Sequence, residues 1–266
     1  MKEYVYLNGQ IIPTAQAQLH VTDLGILRGY GVFDFFRAID GKPIYLEEHL
    51  DRFESSTQKM NLTLPYSREH LRNNVLDMIR LHEHKLLGIK LLCTGGYSED
   101  GYEPTTPNVI MLAKPFNMPP DGKTLKLMTV EHVRELSDIK TTNYIVPIKA
   151  LPQLKTGGFD DVLYHKDGLV SESSRSNLFI VKGEKVITPK SNILHGITRK
   201  NVIKVIKNHF DFEENDFSLT DLLEADEVFI SGSTKRVTPV EYVDNQRFMQ
   251  KKVCQKIVEL LIENEI

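Results

Sequence analysis

The stretch RGYGVFDFFRAIDG, Arg28 to Gly41, decides the reading of the first half of the chain. From Gly31 to Ala38 it is an aromatic-rich run with the composition of a strand, and Asp40-Gly41 is a turn dipeptide that ends it. Directly beyond, Leu46, Leu50, Phe53, Thr57 and Met60 recur at steps of three and four, which is one face of a helix. A strand, a tight turn and an amphipathic helix in direct succession predict an α+β arrangement.

The pattern continues on both sides of this stretch. Upstream, Asn8-Gly9 between Tyr4–Leu7 and Gln10–Ile12 is a hairpin signal. Downstream, Ser67 caps a helix whose Leu71, Val75, Met78 and Ile79 face inward. Strand-like runs follow at Ile89–Thr94 and Val109–Ala113. Residues 114–123 hold three prolines and a glycine and read as a linker. The chain therefore divides into residues 1–113 and 124–266. The second part opens with a run from Thr124 to Val133 and turns hairpins at Asp167-Gly168 and Lys182-Gly183. A helix starts near Thr198, with Val202, Ile203, Ile206 and Phe210 apolar. Ser218 with Asp221 is a capping box, and Glu227–Ser231 is a short strand. A last helix carries Met249, Val253, Ile257, Leu260 and Leu261 on its buried stripe.

The 266 residues are 41% hydrophobic and 26% charged, enough for a folded core, and the net charge of −3 gives no footprint for nucleic acid. The first residues lack the apolar run of a signal peptide, and no stretch approaches the roughly 20 apolar residues of a membrane helix. Cys93 and Cys254 have neither metal nor redox spacing and are expected as two buried free thiols in a reducing cytoplasm. In His82-Glu83-His84 the histidines are two apart and would point to different faces of a helix, so no metal site is expected. Dinucleotide, Walker and nucleophile-elbow signatures are absent.

Candidate chemistry lies in small polar residues beside strands and at a helix start. Gly196-Ile197-Thr198 opens a helix, where backbone N–H groups and a hydroxyl suit a phosphate or an ordinary cap. Ser231–Thr234 follows a strand and supplies further donors or a plain turn. Arg52 lies off the apolar stripe of its helix, as an inward cation or a surface one. Glu172 stands between Ser171 and Ser173 in a strand context. Phosphate donors, a cation, an acid and a lysine together form the complement of a cofactor.

Six ordered segments carry a resemblance: RGYGVFDFFR (Arg28 to Arg37), EEHLDRF (Glu47 to Phe53), DIKTTNYI (Asp138 to Ile145), LVSESSRSNLFIV (Leu169 to Val181), ILHGITR (Ile193 to Arg199) and ADEVFISGSTKRVTPV (Ala225 to Val240). With them the chain resembles the class IV, or fold-type IV, pyridoxal-phosphate (PLP) enzymes. These include branched-chain aminotransferases, D-amino-acid aminotransferases and aminodeoxychorismate lyases. The resemblance implies an α+β fold, with a small N-terminal α+β domain, a larger C-terminal barrel-like α/β domain and PLP between them. It implies that Lys140 carries the cofactor and acts as the catalytic base, and that Glu172 pairs with the pyridine nitrogen. Arg52, Ile197, Thr198 and Ser233 would hold the phosphate, and Thr234 would lie near the substrate carboxylate. It also implies a homodimer acting on an amino acid and a 2-oxo acid.

On the substrate side the match departs from the family patterns. The branched-chain Tyr-x-Arg becomes Gly88-Ile89-Lys90, and the D-amino-acid Arg-x-His becomes Asp100-Gly101-Tyr102. Arg28 replaces a pocket tyrosine. It is read either as a bidentate carboxylate ligand assisted by Lys90 or as an ion-pair partner at the dimer interface. Phe33 is expected in the same pocket or in the core. An Arg28–Lys90 carboxylate site favours D-amino acids ahead of branched-chain L-amino acids. The alternative is a lyase that forms p-aminobenzoate and pyruvate.

Overall fold

In the computed structural model, which describes residues 3–264, Asn8-Gly9 turns a hairpin between β1 (Tyr4–Leu7) and β2 (Gln10–Pro13). Both turn residues have positive φ, 47° and 93°, as a turn matched to the strand twist requires. After a single helical turn, α1 (Leu24–Leu27), the chain enters β3 (Gly31–Ile39) and reverses at Asp40-Gly41 into β4 (Lys42–Pro43). Helices α2 (Leu46–Lys59) and α3 (Arg68–Arg80) follow, then β5 (Leu86–Thr94) and β6 (Asn108–Pro115). Ser67 caps α3 by accepting from the His70 amide at 3.2 Å.

These strands form an antiparallel sheet in the order β2-β1-β6-β5-β3-β4. Alternation along β3 splits its side chains between two faces. Val32 and Phe36 are fully buried with Leu50 and Phe53 of α2 and Leu71, Val75 and Met78 of α3. Phe33 and Phe35, on the other face, are half-buried. The chain up to Asn117 makes one compact unit, and Ile139–Asn143 joins it. The Phe33 amide donates to the Lys140 carbonyl at 2.9 Å, Val32 and Thr141 form an antiparallel bridge, and the Thr142 amide donates to Gly31. Residues 114 and 115, expected in the linker, are strand instead: Lys114 pairs with Gly88 and Pro115 with Leu87, and a proline at a strand end costs only its missing donor.

The second unit comprises Met118–Asp138 and the chain from Tyr144 onward. It contains β7 (Leu125–Glu131), α4 (Ile145–Gly157), β8 (Asp161–Lys166), β9 (Leu169–Ser173), β10 (Asn177–Lys182) and β11 (Lys185–Thr188). It continues with α5 (Ile197–Lys207), β12 (Asp211–Glu214), α6 (Leu219–Leu223), β13 (Glu227–Gly232), β14 (Arg236–Val243), β15 (Gln246–Arg247) and α7 (Lys252–Asn264). Strands β10-β13-β14-β7-β8-β9 run in that order, and the pairing of Glu172 with Asn177 closes β9 onto β10, giving a barrel-like sheet. Strand β10 is buried on both sides, which explains its unbroken apolar run. Leu178 and Ile180 pack with Leu127, Leu163 and Val228, whereas Phe179 and Val181 pack under α5 and α7.

Two differences from the sequence reading have local causes. The last helix begins at Lys252, so Met249 lies outside it and is 69% exposed, and Phe248 is buried in its place. Helix α4 has no sequence signal because Pro147 and Pro152 stand in it and its apolar residues are divided between a buried side, Ala150 and Leu154, and an exposed one, Ile145, Ile148 and Leu151. Pro147 falls in the first turn, where its missing N–H would have had no partner. Both cysteines are buried and free, and burial pushes the Cys93 thiol up to about 12.

Phe53 is fully buried where α2 meets the sheet. Phe53→Ala is expected to lower the unfolding free energy by about 3–5 kcal/mol, read from urea denaturation; a loss below about 1 kcal/mol would contradict this packing.

Candidate active site

Lys140 owes its place to backbone pairing. Its carbonyl is bound to β3, and its Nζ stands 4.6 Å from the centroid of the Phe33 ring. Lys90 on β5 approaches the same ring, at 5.5 Å. Phe33 and Lys90 share a face because Phe35 is the register partner of Lys90, two residues along β3. Three of the expected residues, Lys140, Phe33 and Lys90, are thus brought together.

Arg52 turns inward, toward the opposite face. Its Nε and Nη2 each donate to Asp34 at 2.8 Å in a bidentate pair. The buried His49 adds Nδ1 at 2.7 Å from Asp34 Oδ1. Burial alone would raise the Asp34 pKa, but Arg52 and His49 hold it well below the usual carboxylate range. Burial lowers the His49 pKa against the pull of Asp34, so the neutral ring is favoured and its Nδ1–H is the donor. Asp34 and His49 were not singled out in the sequence. Their signal was available, since Asp34 alternates onto the same face as Val32 and Phe36.

Arg28 is the C-cap of α1 and is exposed. Its guanidinium donates to the Leu27 carbonyl at 3.3 Å and pairs with no carboxylate among the described residues. The neighbouring Gly29 carbonyl accepts from the Thr142 hydroxyl at 2.9 Å, two residues beyond Lys140.

In the second unit, Glu172 is buried at the end of β9 and held at both of its oxygens. Arg134 Nε donates to Oε1 at 2.9 Å, and Asn177 Nδ2 and the Leu194 amide donate to Oε2 at 3.2 and 3.0 Å. Asn177 also donates to the Leu194 carbonyl at 2.7 Å, tying the acid to the loop that leads into α5. A Cβ on Gly196 would fall 2.2 Å from Asn177 Oδ1, so the close approach requires glycine there. Ile197 and Thr198 are buried in the first turn of α5, which has no side-chain cap and no acidic residue. Its N-terminal amides and the Thr198 hydroxyl therefore suit an anion. Ser233 and Thr234 follow β13, and the adjacent Ser231 hydroxyl is buried with no protein partner, as is that of Ser176. Arg134 and Asn177 were missed by sequence reasoning. Arg134 follows a strand end and has no periodic signal, whereas Asn177 opens β10 as a single amide whose partners only the fold supplies.

The residues of the second unit fit a phosphorylated pyridine: unpartnered hydroxyls and helix-end amides for the phosphate, and an oriented carboxylate for a ring nitrogen. The architecture is that of the fold-type IV aminotransferases. The family model described as amino-transferase class IV matches residues 31–243, and the chain belongs to that family. It is 34% identical over 265 residues to a Methanocaldococcus jannaschii protein provisionally described as a branched-chain-amino-acid aminotransferase, covering 94% of this chain and 91% of that one. It is 32% identical over 260 residues to the D-alanine aminotransferase of Staphylococcus haemolyticus, covering 94% and 92%. The crystal structure of the branched-chain aminotransferase from the thermophilic archaeon Thermoproteus uzoniensis, with norvaline, superposes with a TM-score of 0.91 at 26% identity, covering 99% and 94%.

The Asp34 pair gives a pH signature. A carboxylate with a depressed folded-state pKa stabilises the fold above its ordinary value of about 4, and that stability is lost as pH falls. Asp34→Asn is expected to cost about 3 kcal/mol at pH 7. The gap from the unsubstituted protein should shrink between about pH 4 and pH 2 in urea titrations. A gap that stays constant over that range would contradict the assignment.

Proposed function

We propose that this chain is a PLP-dependent transaminase that moves an amino group between an amino acid and a 2-oxo acid. The observation that supports it most is the placement of Lys140, whose backbone is stitched to β3 and whose ammonium lies over Phe33. Bound PLP supplies an electrophilic carbon for the amino group and an electron-accepting ring. Lys140 would hold the cofactor until the incoming amino group displaces its Nζ, and the freed amine would then take the proton from the substrate Cα and return it on the cofactor side. Glu172, fixed by Arg134 and Asn177, keeps a proton on the ring nitrogen. Thr198, Ser233 and the amide of Ile197 would bind the phosphate; the family resemblance gives Arg52 the same role, and Asp34 sets the angle of its guanidinium.

For the substrate, we infer that Arg28 and Lys90 bind the carboxylate with Phe33 beside them, and the family resemblance gives the Thr234 backbone a place near that carboxylate. The exposed guanidinium of Arg28, without an acidic partner among the described residues, is what supports this. Such a site favours D-amino acids ahead of branched-chain L-amino acids; relatives carrying both names leave that choice to experiment. A homodimer belongs to the same reading. Ile145, Ile148 and Leu151 stand 68%, 62% and 45% exposed along α4, an apolar stripe that a second copy would cover. The two buried thiols suit a reducing cytoplasm.

The test is the visible spectrum of the PLP-loaded protein before and after D-alanine or D-glutamate, with L-leucine in parallel. Bleaching of the yellow band by the D-amino acid is expected. Bleaching by L-leucine alone makes the enzyme a branched-chain type. A band that neither amino acid changes, with p-aminobenzoate formed without a keto-acid acceptor, replaces transamination by the lyase reaction. Arg28→Leu is expected to raise the amino-acid KM about tenfold or more, the worth of a hydrogen-bonded charge pair; an unchanged KM would remove Arg28 from the site.

A further inference from the structure

Helix α1 is held by a buried carboxylate that the proposed reaction does not use. Asp23 is fully buried and accepts three hydrogen bonds. The Gly25 amide donates to Oδ1 at 2.7 Å, and the Thr94 hydroxyl and Asn108 Nδ2 donate to Oδ2 at 2.7 and 2.6 Å. Asn108 is fixed in turn: its Oδ1 accepts from Asn8 Nδ2 at 2.7 Å, and Asn8 Oδ1 accepts from the Val109 amide at 2.9 Å. The donor and acceptor sense of each amide is set by the next, and the row ends on a group that only accepts.

The consequence reaches Arg28. Thr94 ends β5 and Asn108 starts β6, so Asp23 grips both ends of the loop 95–107. The backbone adds to the grip: the Leu24 amide donates to Gly96 at 3.0 Å, the Ser98 amide to Thr22 at 3.1 Å, and Asp23 forms a bridge with Tyr97. Asp100 gathers the Ser98 hydroxyl and the amides of Tyr102 and Glu103, which folds the loop back. A Cβ on Gly101 would then lie 3.6 Å from Leu27 Cδ1 and 3.9 Å from Arg28 Nη2. A four-residue helix has no stability of its own, so the position of its C-cap depends on these anchors.

We propose that Asp23 is a positioning residue for Arg28, joining α1 and the loop 95–107 into one element that recognises the substrate carboxylate. This rests on the reading of Arg28 given above. Asp23→Asn places an amide N–H against a donor. Thr94 can turn its hydroxyl away, but Asn108 cannot reverse without breaking its bond to Asn8, so α1 loosens from the loop.

The test uses the PLP-loaded enzyme with D-alanine as donor and 2-oxoglutarate as acceptor, L-leucine replacing D-alanine if the spectra select it. KM and kcat are measured separately, together with calorimetric binding of 2-oxoglutarate, for Asp23→Asn, Thr94→Val, Arg28→Leu and the Asp23→Asn/Arg28→Leu double variant. Loss of one charge-assisted contact predicts a KM and dissociation constant about tenfold higher in Asp23→Asn, with kcat within about threefold. Thr94→Val should move KM the same way by less, and the double variant should be no worse than Arg28→Leu alone. An unchanged KM in Asp23→Asn beside a raised one in Arg28→Leu overturns the positioning role and leaves the carboxylate site standing. Additive effects in the double variant also overturn it. If Arg28→Leu itself leaves KM unchanged, the carboxylate reading falls and this inference with it. Should Asp23→Asn fail to fold, an unchanged KM in Thr94→Val decides against the proposal.

Discussion

The hydrogen bond from the Phe33 amide to the Lys140 carbonyl is the contact on which the rest of the candidate site depends. It brings a segment from the middle of the chain onto the edge of β3, beside residues laid down more than a hundred positions earlier. With the Val32–Thr141 bridge and the Thr142 hydroxyl on the Gly29 carbonyl, it fixes the base of a lysine whose side chain is otherwise long and flexible. The same strand presents Phe33 to Lys140 and Lys90 on one face and Asp34 to Arg52 and His49 on the other. One strand therefore orients four of the candidate groups, because side chains alternate along it.

The second unit solves a different problem, the burial of an acid. Glu172 is removed from water with its charge compensated by an arginine, a side-chain amide and a backbone amide. Such an arrangement is costly unless every acceptor site is satisfied, and here Asn177 does double duty by also holding the approach to α5. The acid and the anion-ready helix end thus share one support. The closure of β9 onto β10 at Glu172 and Asn177 is the point of the barrel where this happens.

Much of this was legible in the sequence because it follows local rules. Asn8-Gly9, Ser67, and Ser218 with Asp221 specify their turns and caps by their own chemistry, and the structure shows each. The strand–turn–helix succession from Arg28 to Met60 was readable for the same reason. The residues that hold the site in place were less readable. Asp23 and Arg134 act through partners far along the chain, and single charged residues give no periodic signal; Asp34 shares the alternation of Val32 and Phe36, but its pairing with His49 and Arg52 needs the fold. Helix α4 is hidden because its prolines mask a helix that packing stabilises, and the last helix starts at Lys252, past the exposed Met249. The family likeness supplied roles that spacing alone left open, above all for Lys140, one lysine among many.

That assignment is also the most directly testable part of the account. Protein loaded with PLP and reduced with borohydride, then digested and examined by mass spectrometry, should carry a phosphopyridoxyl group on the peptide containing Lys140 and on no other lysine peptide. A group on Lys90 or Lys149 in its place, or no attached group in a protein that has bound the cofactor, would contradict it.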